Sequence, residues 1–161
     1  MNLASAFGQK FQDNKDAIRI RSFELGGHTF KVKVPLTIEL DAMYEIIKTL
    51  DDEIVEKYYT QLSKTFIENR ETYKDNDEIQ FTDDDVLVQG RSMREAAKNK
   101  ATSEKRITEM FKLLVPEEQG FDMNTITYDM IEELFPFSIQ LEIMDNISKV
   151  VSPDYKEKRG K

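Results

Sequence analysis

Two stretches near the start of the chain alternate apolar and polar positions, and most of the remaining chain repeats its apolar positions every three or four residues. The alternating stretches, "AIRIRSFEL" and "HTFKVKV", flank Gly26-Gly27. Glycine accepts the positive φ of a tight turn, so the pair predicts a β-hairpin. The alternation predicts that Ile18, Ile20, Phe30, Val32 and Val34 share one face, leaving Arg19, Arg21, Lys31 and Lys33 on a wet, basic one. Pro35 has no N–H for a ladder and ends the second strand. Residues 1–15 are polar without a sustained period and are expected to form a flexible arm.

The helical period begins after Pro35. Thr37 is the expected N-cap, and Leu40, Met43, Tyr44, Ile47 and Leu50 recur at three and four residues. Ile54, Val55, Tyr58, Tyr59, Leu62, Phe66 and Ile67 repeat that spacing, so one bent helix or two occupy 38–72. The acidic run "KDNDEIQFTDDD" is expected as an exposed loop with room for a short strand, and Val86 and Val88 of "DVLVQG" predict another strand. Ser92 and Glu95 fit a capping box, which opens a helix running from about Met93 to Val115 before Pro116. Thr127 caps a short helix in "TYDMIEELF", and Pro136 starts a new one. That last helix sets Phe137, Leu141, Met144 and Val151 in one row, with Ile139, Ile143, Ile147 and Val150 beside it. These elements predict an α+β fold: a mainly helical single domain over 16–152, with a small antiparallel β-hairpin or sheet near the N-terminus. A charged tail, 153–161, completes the chain.

Composition narrows the chemistry. The 161 residues contain no cysteine, which excludes disulfides, thiolate nucleophiles and Cys-based zinc sites and suits a reducing cytoplasm. No apolar run has the length of an export signal or approaches the roughly 20 residues that span a bilayer, so no membrane role is expected. His28 is the only histidine, and it sits beside a hairpin turn, which excludes a two-histidine metal motif. Neither GxxxxGK[ST] nor GxGxxG occurs. An EF-hand reading of the acidic run from Asp75 fails, because Ile79 and Gln80 stand where an oxygen ligand and a glycine belong. Nothing selects a catalytic pair among 31 acids, so no enzyme, cofactor or metal is expected.

Charge is laid out unevenly. The net charge is −8, yet Gly90–Arg106 carries six Lys or Arg against two Glu. Pro116–Ser148, by contrast, carries eight acids and no Lys or Arg. Long-range repulsion from phosphate disfavours nucleic acid, and the basic segment lacks aromatic residues for stacking bases. Two explanations remain for it: internal balance against the acidic half of the chain, or a protein partner oriented by opposite charge. Ala96, Ala97 and Ala101 thin the same helix, so a neighbouring helix, internal or foreign, could approach closely there.

The order of "FELGGHTFKVKVP", "VLVQGRSMREAAKNKATSEKRITEMFKLLVP" and "TYDMIEELFPFSIQLEIMDNI" resembles the tail assembly chaperones of long-tailed, lambda-like bacteriophages, over about 18–151. The resemblance implies a non-enzymatic protein of the host cytoplasm, absent from the mature virion. It would bind the tape measure protein, a long helical polypeptide, and help recruit tail tube protein. It also implies a frameshifted longer form, with Gly160-Lys161 as a place for a slippery sequence, although any polar tail could end so. A structural tail completion or connector subunit is the alternative. Client contact is expected at Phe137, Ile139, Ile143 and Met144, with Arg91, Arg94, Lys98 and Lys100 orienting an acidic stretch of client. The same apolar residues equally fit a helix face buried as core. Self-association is a further expectation.

Overall fold

The computed structural model describes residues 2–154. Beyond its first two residues, the expected tail, with Gly160-Lys161, lies outside them. The fold is α+β and mainly helical, with an antiparallel sheet near the N-terminus, as the periodicity predicts. In chain order the elements are α1 (Leu3–Ala6), α2 (Gln9–Asn14), a 3-10 turn (Lys15–Arg19), β1 (Ile20–Leu25), β2 (His28–Lys33), α3 (Thr37–Lys48), α4 (Asp52–Glu68) and α5 (Arg70–Tyr73). Next come β3 (Ile79–Phe81), β4 (Val86–Val88), β5 (Arg91–Ser92), α6 (Met93–Phe111), β6 (Leu114–Val115), a 3-10 turn (Met123–Thr125), α7 (Tyr128–Leu134) and α8 (Phe137–Val151). The described residues divide into two compact units: one built from the segments up to Met43 and from Ile107 onward, the other from Tyr44–Arg106.

In the first unit, the expected arm is helical. Asn2 caps α1 by accepting from the Ser5 N–H at 2.9 Å, and none of the residues in α1, α2 or the following turn is buried. The hairpin forms where expected, but its register corrects the predicted face. Gly26 and Gly27 have φ of 59° and 79°, so a two-residue turn pairs Leu25 with His28 and Phe23 with Phe30. Phe23, not Ile20, therefore shares a face with Phe30 and Val32, and Ile18 falls outside the strand, 74% exposed. A Cβ added at Gly27 meets no atom within 4 Å. Gly27→Ala is therefore expected to cost about 1–2 kcal/mol through backbone conformation alone, read as a lowered urea midpoint with an unchanged slope.

The register also divides the predicted basic face: Arg21 pairs with Val32 and so lies on the side of Phe23 and Phe30, whereas Lys31 and Lys33 lie on the other. Arg21 donates to the Val150 carbonyl at 2.6 Å and the Ser152 carbonyl at 3.1 Å, satisfying the C-terminal end of α8. Arg19 donates from Nε to the Val34 carbonyl at 2.9 Å and pairs with Glu39. Glu39 also accepts from the Leu36 N–H at 2.8 Å, so α3 starts one residue earlier than expected, with Leu36 rather than Thr37 at the cap position. That backbone bond, opposed by burial and helped by Arg19, holds the Glu39 carboxyl below its ordinary range.

The long helix expected to reach Val115 stops at Phe111, and Leu114–Val115 joins β2 as a third strand. Val115 precedes Pro116, which disfavours helical backbone, while the open edge of β2 offers partners. Lys33 donates to the Leu113 carbonyl at 2.9 Å, and Val32 pairs with Leu114. The core beneath this sheet gathers Phe23, Val32, Ile107, Phe111, Ile131, Ile143, Ile147 and Val150. Gln140 is buried among them without cost in hydrogen bonds: it accepts from the Tyr128 hydroxyl and donates to the Phe135 carbonyl, both at 2.9 Å. That pair ties α7 to α8 across Pro136.

The 38–72 region contains separate helices, because Asp51, in the second unit, caps α4 by accepting from the Glu53 N–H at 2.9 Å. The acidic run contains β3, which with β4 and β5 makes a second antiparallel sheet, order β3-β4-β5. Val55 and Tyr59 of α4 pack against Ala97 and Ala101 of α6. The alanines thus receive an internal helix, α4, as one of the two readings of that stripe allowed.

Candidate functional site: an apolar pocket with an acidic rim

Pro116 lacks an N–H and ends the β2–β6 ladder, so the chain leaves the sheet and crosses back through 116–127 before α7. Asp122 fixes the 3-10 turn by accepting from the Asn124 N–H at 2.9 Å, and Thr127 caps α7 by accepting from the Met130 N–H at 3.4 Å. With Ile131 turned into the core, Met130 and Leu134, four residues apart, line the space left between this crossing segment and β2. The result is an open cavity of about 400 Å³, walled mainly by apolar side chains including Phe30, Phe111, Phe121, Ile126, Met130 and Leu134.

The rim is exposed and acidic. Phe121 and Met130 are each 42% exposed and Leu134 is 71% exposed. Glu117 lines the cavity, and Glu118, Asp122, Asp129, Glu132 and Glu133 are exposed on the segments that build its outer wall. Among the described residues none of these six carboxylates is in an ion pair; of the eight acids in 116–148, Asp145 alone is, with Lys149 at 2.8 Å. Lys31 is the one lysine or arginine in the lining.

The residues expected to contact a client are placed in different surroundings. Phe137 is half exposed, whereas Ile139 and Met144 pack partly buried against the core and Ile143 is wholly inside it. Ile143 is therefore a core residue and cannot touch a partner: it lies on the helix stripe that the sheet covers. Leu141, 48% exposed one turn beyond Phe137, takes the outward position instead.

The basic side chains lie in the second unit. Arg94 is committed internally: its guanidinium bonds Glu56 at 2.5 Å, donates to the Asp84 carbonyl and lies 3.9 Å from the Tyr59 ring centroid. Lys105 donates to the Thr49 carbonyl, and Lys98 pairs with Glu95 at 3.5 Å. Lys100 lies 4.5 Å from the Tyr58 ring centroid, and Arg91 is exposed on β5. Arg94 is thus balanced by Glu56 of α4 and Lys105 is tied to a backbone carbonyl, and neither meets the acidic 116–148 segment that internal balance was expected to use. Arg94→Glu is accordingly expected to lower stability by about 1–3 kcal/mol in thermal unfolding, while Lys98→Glu stays within about 0.5 kcal/mol.

Reasoning from periodicity missed Phe121, Met130 and Leu134. The signal for them was the excess of apolar residues in "FDMNTITYDMIEELF" over what one short helix can bury. Among the described residues no group of three or more His, Cys, Asp or Glu is placed to hold a metal ion, and no helix is long and apolar enough to cross a membrane. Comparison of the chain with protein-family models, with curated proteins and with solved structures finds no match.

Proposed function

We propose that this protein is a non-enzymatic assembly chaperone of the long-tailed phage type, which covers apolar helical stretches of the tape measure protein and helps recruit tail tube protein in the host cytoplasm. The observation that carries the reading is the set of exposed apolar side chains on α7 and α8, Met130, Leu134, Phe137 and Leu141. The buried faces of both helices are already occupied by Ile131, Ile143, Ile147 and Val150, so these four are surplus to folding. Met130 and Leu134 line the cavity, and exposed apolar groups at a pocket are what a protein that binds another polypeptide presents. The family itself is supported by the order of hairpin, basic helix and paired C-terminal helices along the chain.

The test is coexpression with the long helical product of a neighbouring gene. The expected result is a several-fold rise in the soluble yield of that product, with this protein found in lysates and absent from purified tails. An unchanged yield contradicts the proposal, and retention in purified tails would assign a structural completion or connector role.

A further inference from the structure

Resting on the polypeptide-binding reading above and deepening it, we infer that the acid-rimmed pocket of the first unit receives an amphipathic helix with two large apolar side chains three or four residues apart and Lys or Arg on its flanks.

The occupant's charge follows from the rim. Glu117 lines the opening beside a single lysine, and the 116–134 segment that builds its outer wall carries five further exposed carboxylates, none of the six in an ion pair among the described residues, and no Lys or Arg. A cationic flank would be drawn toward the 116–134 wall and oriented by it, while an acidic one would be repelled there. Nucleic acid is excluded on the same ground. A second copy is disfavoured too, since a two-fold contact would set Glu132 and Glu133 against a partner surface of the same sign. Nor can the chain's own basic helix serve as the occupant, because its apolar residues Ala97 and Ala101 are already buried under α4.

The occupant's backbone follows from the sheet. Lys33 donates toward β6, and strand alternation turns the polar groups of Lys31 and Thr29 to that same edge. β6 already occupies Lys31, and Pro116 ends it opposite Phe30. Only Thr29 keeps an open donor–acceptor pair, too little to template an added strand. A helix satisfies its own backbone and needs only side-chain sockets, and a cavity of about 400 Å³ accommodates two large apolar groups.

The experiment uses the full chain and two fluorescein-labelled peptides of about 18 residues, with identical Leu and Phe faces and either Lys or Glu at the flanking positions. Fluorescence anisotropy at about 50 mM NaCl is expected to give the Lys peptide at least about tenfold tighter binding, an advantage that shrinks to about threefold or less at about 500 mM. Met130→Ser with Leu134→Ser is expected to weaken the Lys peptide at least about tenfold at an unchanged unfolding midpoint, since both side chains are exposed. Glu132→Lys with Glu133→Lys is expected to reverse the preference. Equal affinities, indifference to the serine pair, or conversion of a dimer to a monomer by it in sedimentation would each overturn the inference. The Lys peptide bound at this pocket while coexpression leaves the long helical product insoluble defeats the chaperone reading alone. Soluble coexpression without peptide binding defeats the pocket assignment alone.

Discussion

Ile143→Ala is expected to lower the unfolding free energy by about 2–5 kcal/mol, whereas Phe137→Ala and Leu141→Ala, on the same helix, stay within about 0.5 kcal/mol. Ile143 has no solvent exposure and sits among Phe23, Val32, Phe111 and Ile147, so truncation removes buried methyl groups and leaves a cavity that a packed core closes only in part. Phe137 and Leu141 are about half exposed and already touch water, so losing them costs the fold little. Urea denaturation of the three variants separates the roles, because a contact residue changes partner binding at constant stability and a core residue changes both. A stability loss for Phe137→Ala as large as that for Ile143→Ala would overturn the assignment of α8's two faces.

Asp85→Ala is expected to destabilise the second unit by about 2–3 kcal/mol, the combined loss of a helix cap and of charge-assisted bonds. Its carboxylate accepts from the Val86 N–H at 2.7 Å and the Arg94 N–H at 3.1 Å, and also from the Ser92 hydroxyl. Ser92 in turn accepts from the Glu95 N–H at 3.1 Å. The capping box read from Ser92 and Glu95 is therefore half right. Ser92 caps the third helical N–H, but Glu95 pairs with Lys98, and Asp85, from the loop before β4, accepts a second free N–H. Burial alone would raise the Asp85 carboxyl, and the bonds from Ser92, Arg94 and Val86 together with the Arg94 charge outweigh it, holding the group below the usual range. A carboxyl depressed in the folded state adds stability that is fully present above the unfolded value, about 3.9 for an aspartate, and is lost as pH falls through the lower folded value. Asp85→Asn should keep part of the cap through its amide oxygen while flattening this acid limb. Chemical denaturation between about pH 6 and pH 2.5 checks it, and an acid limb that persists in Asp85→Asn would assign the effect to other carboxylates, Glu39 first.

Much of the secondary structure was legible because its signals are local. The hairpin turn at Gly26-Gly27, the caps at Thr127 and Ser92, the break at Pro136 and the strand at Val86–Val88 each depend on a few neighbouring residues, and each stands where the pattern predicts. The hairpin face was misassigned although the turn contains the answer: a two-residue loop pairs Leu25 with His28, and counting back from there puts Phe23 inward. Alternation over "IRIRS" pointed the other way, and a one-residue slip moves every side chain to the opposite face. β6 was invisible because Leu114 and Val115 continue a helical period, and only the edge of β2, more than eighty residues away in sequence, makes them a strand.

The site shows the same division. Amphipathic spacing gave α8 two adjacent apolar rows, but the rows do not state which is outermost. The sheet decided it by covering Ile143, Ile147 and Val150 and leaving Phe137 and Leu141 outside. Likewise the six cations of Gly90–Arg106 are plain in the sequence, while the diversion of Arg94 to Glu56 and Tyr59 depends on α4 lying against Ala97 and Ala101.

Sequence by itself determined the α+β character, the caps and breaks, and the uneven charge, since propensity, capping chemistry and net charge are properties of short segments. Tertiary structure alone decided the register-dependent core face, the third strand, the burial of Ile143 and the gathering of Phe121, Met130 and Leu134 around one cavity. The physical reason is that burial and pairing are settled by residues distant along the chain, whose approach no local period encodes.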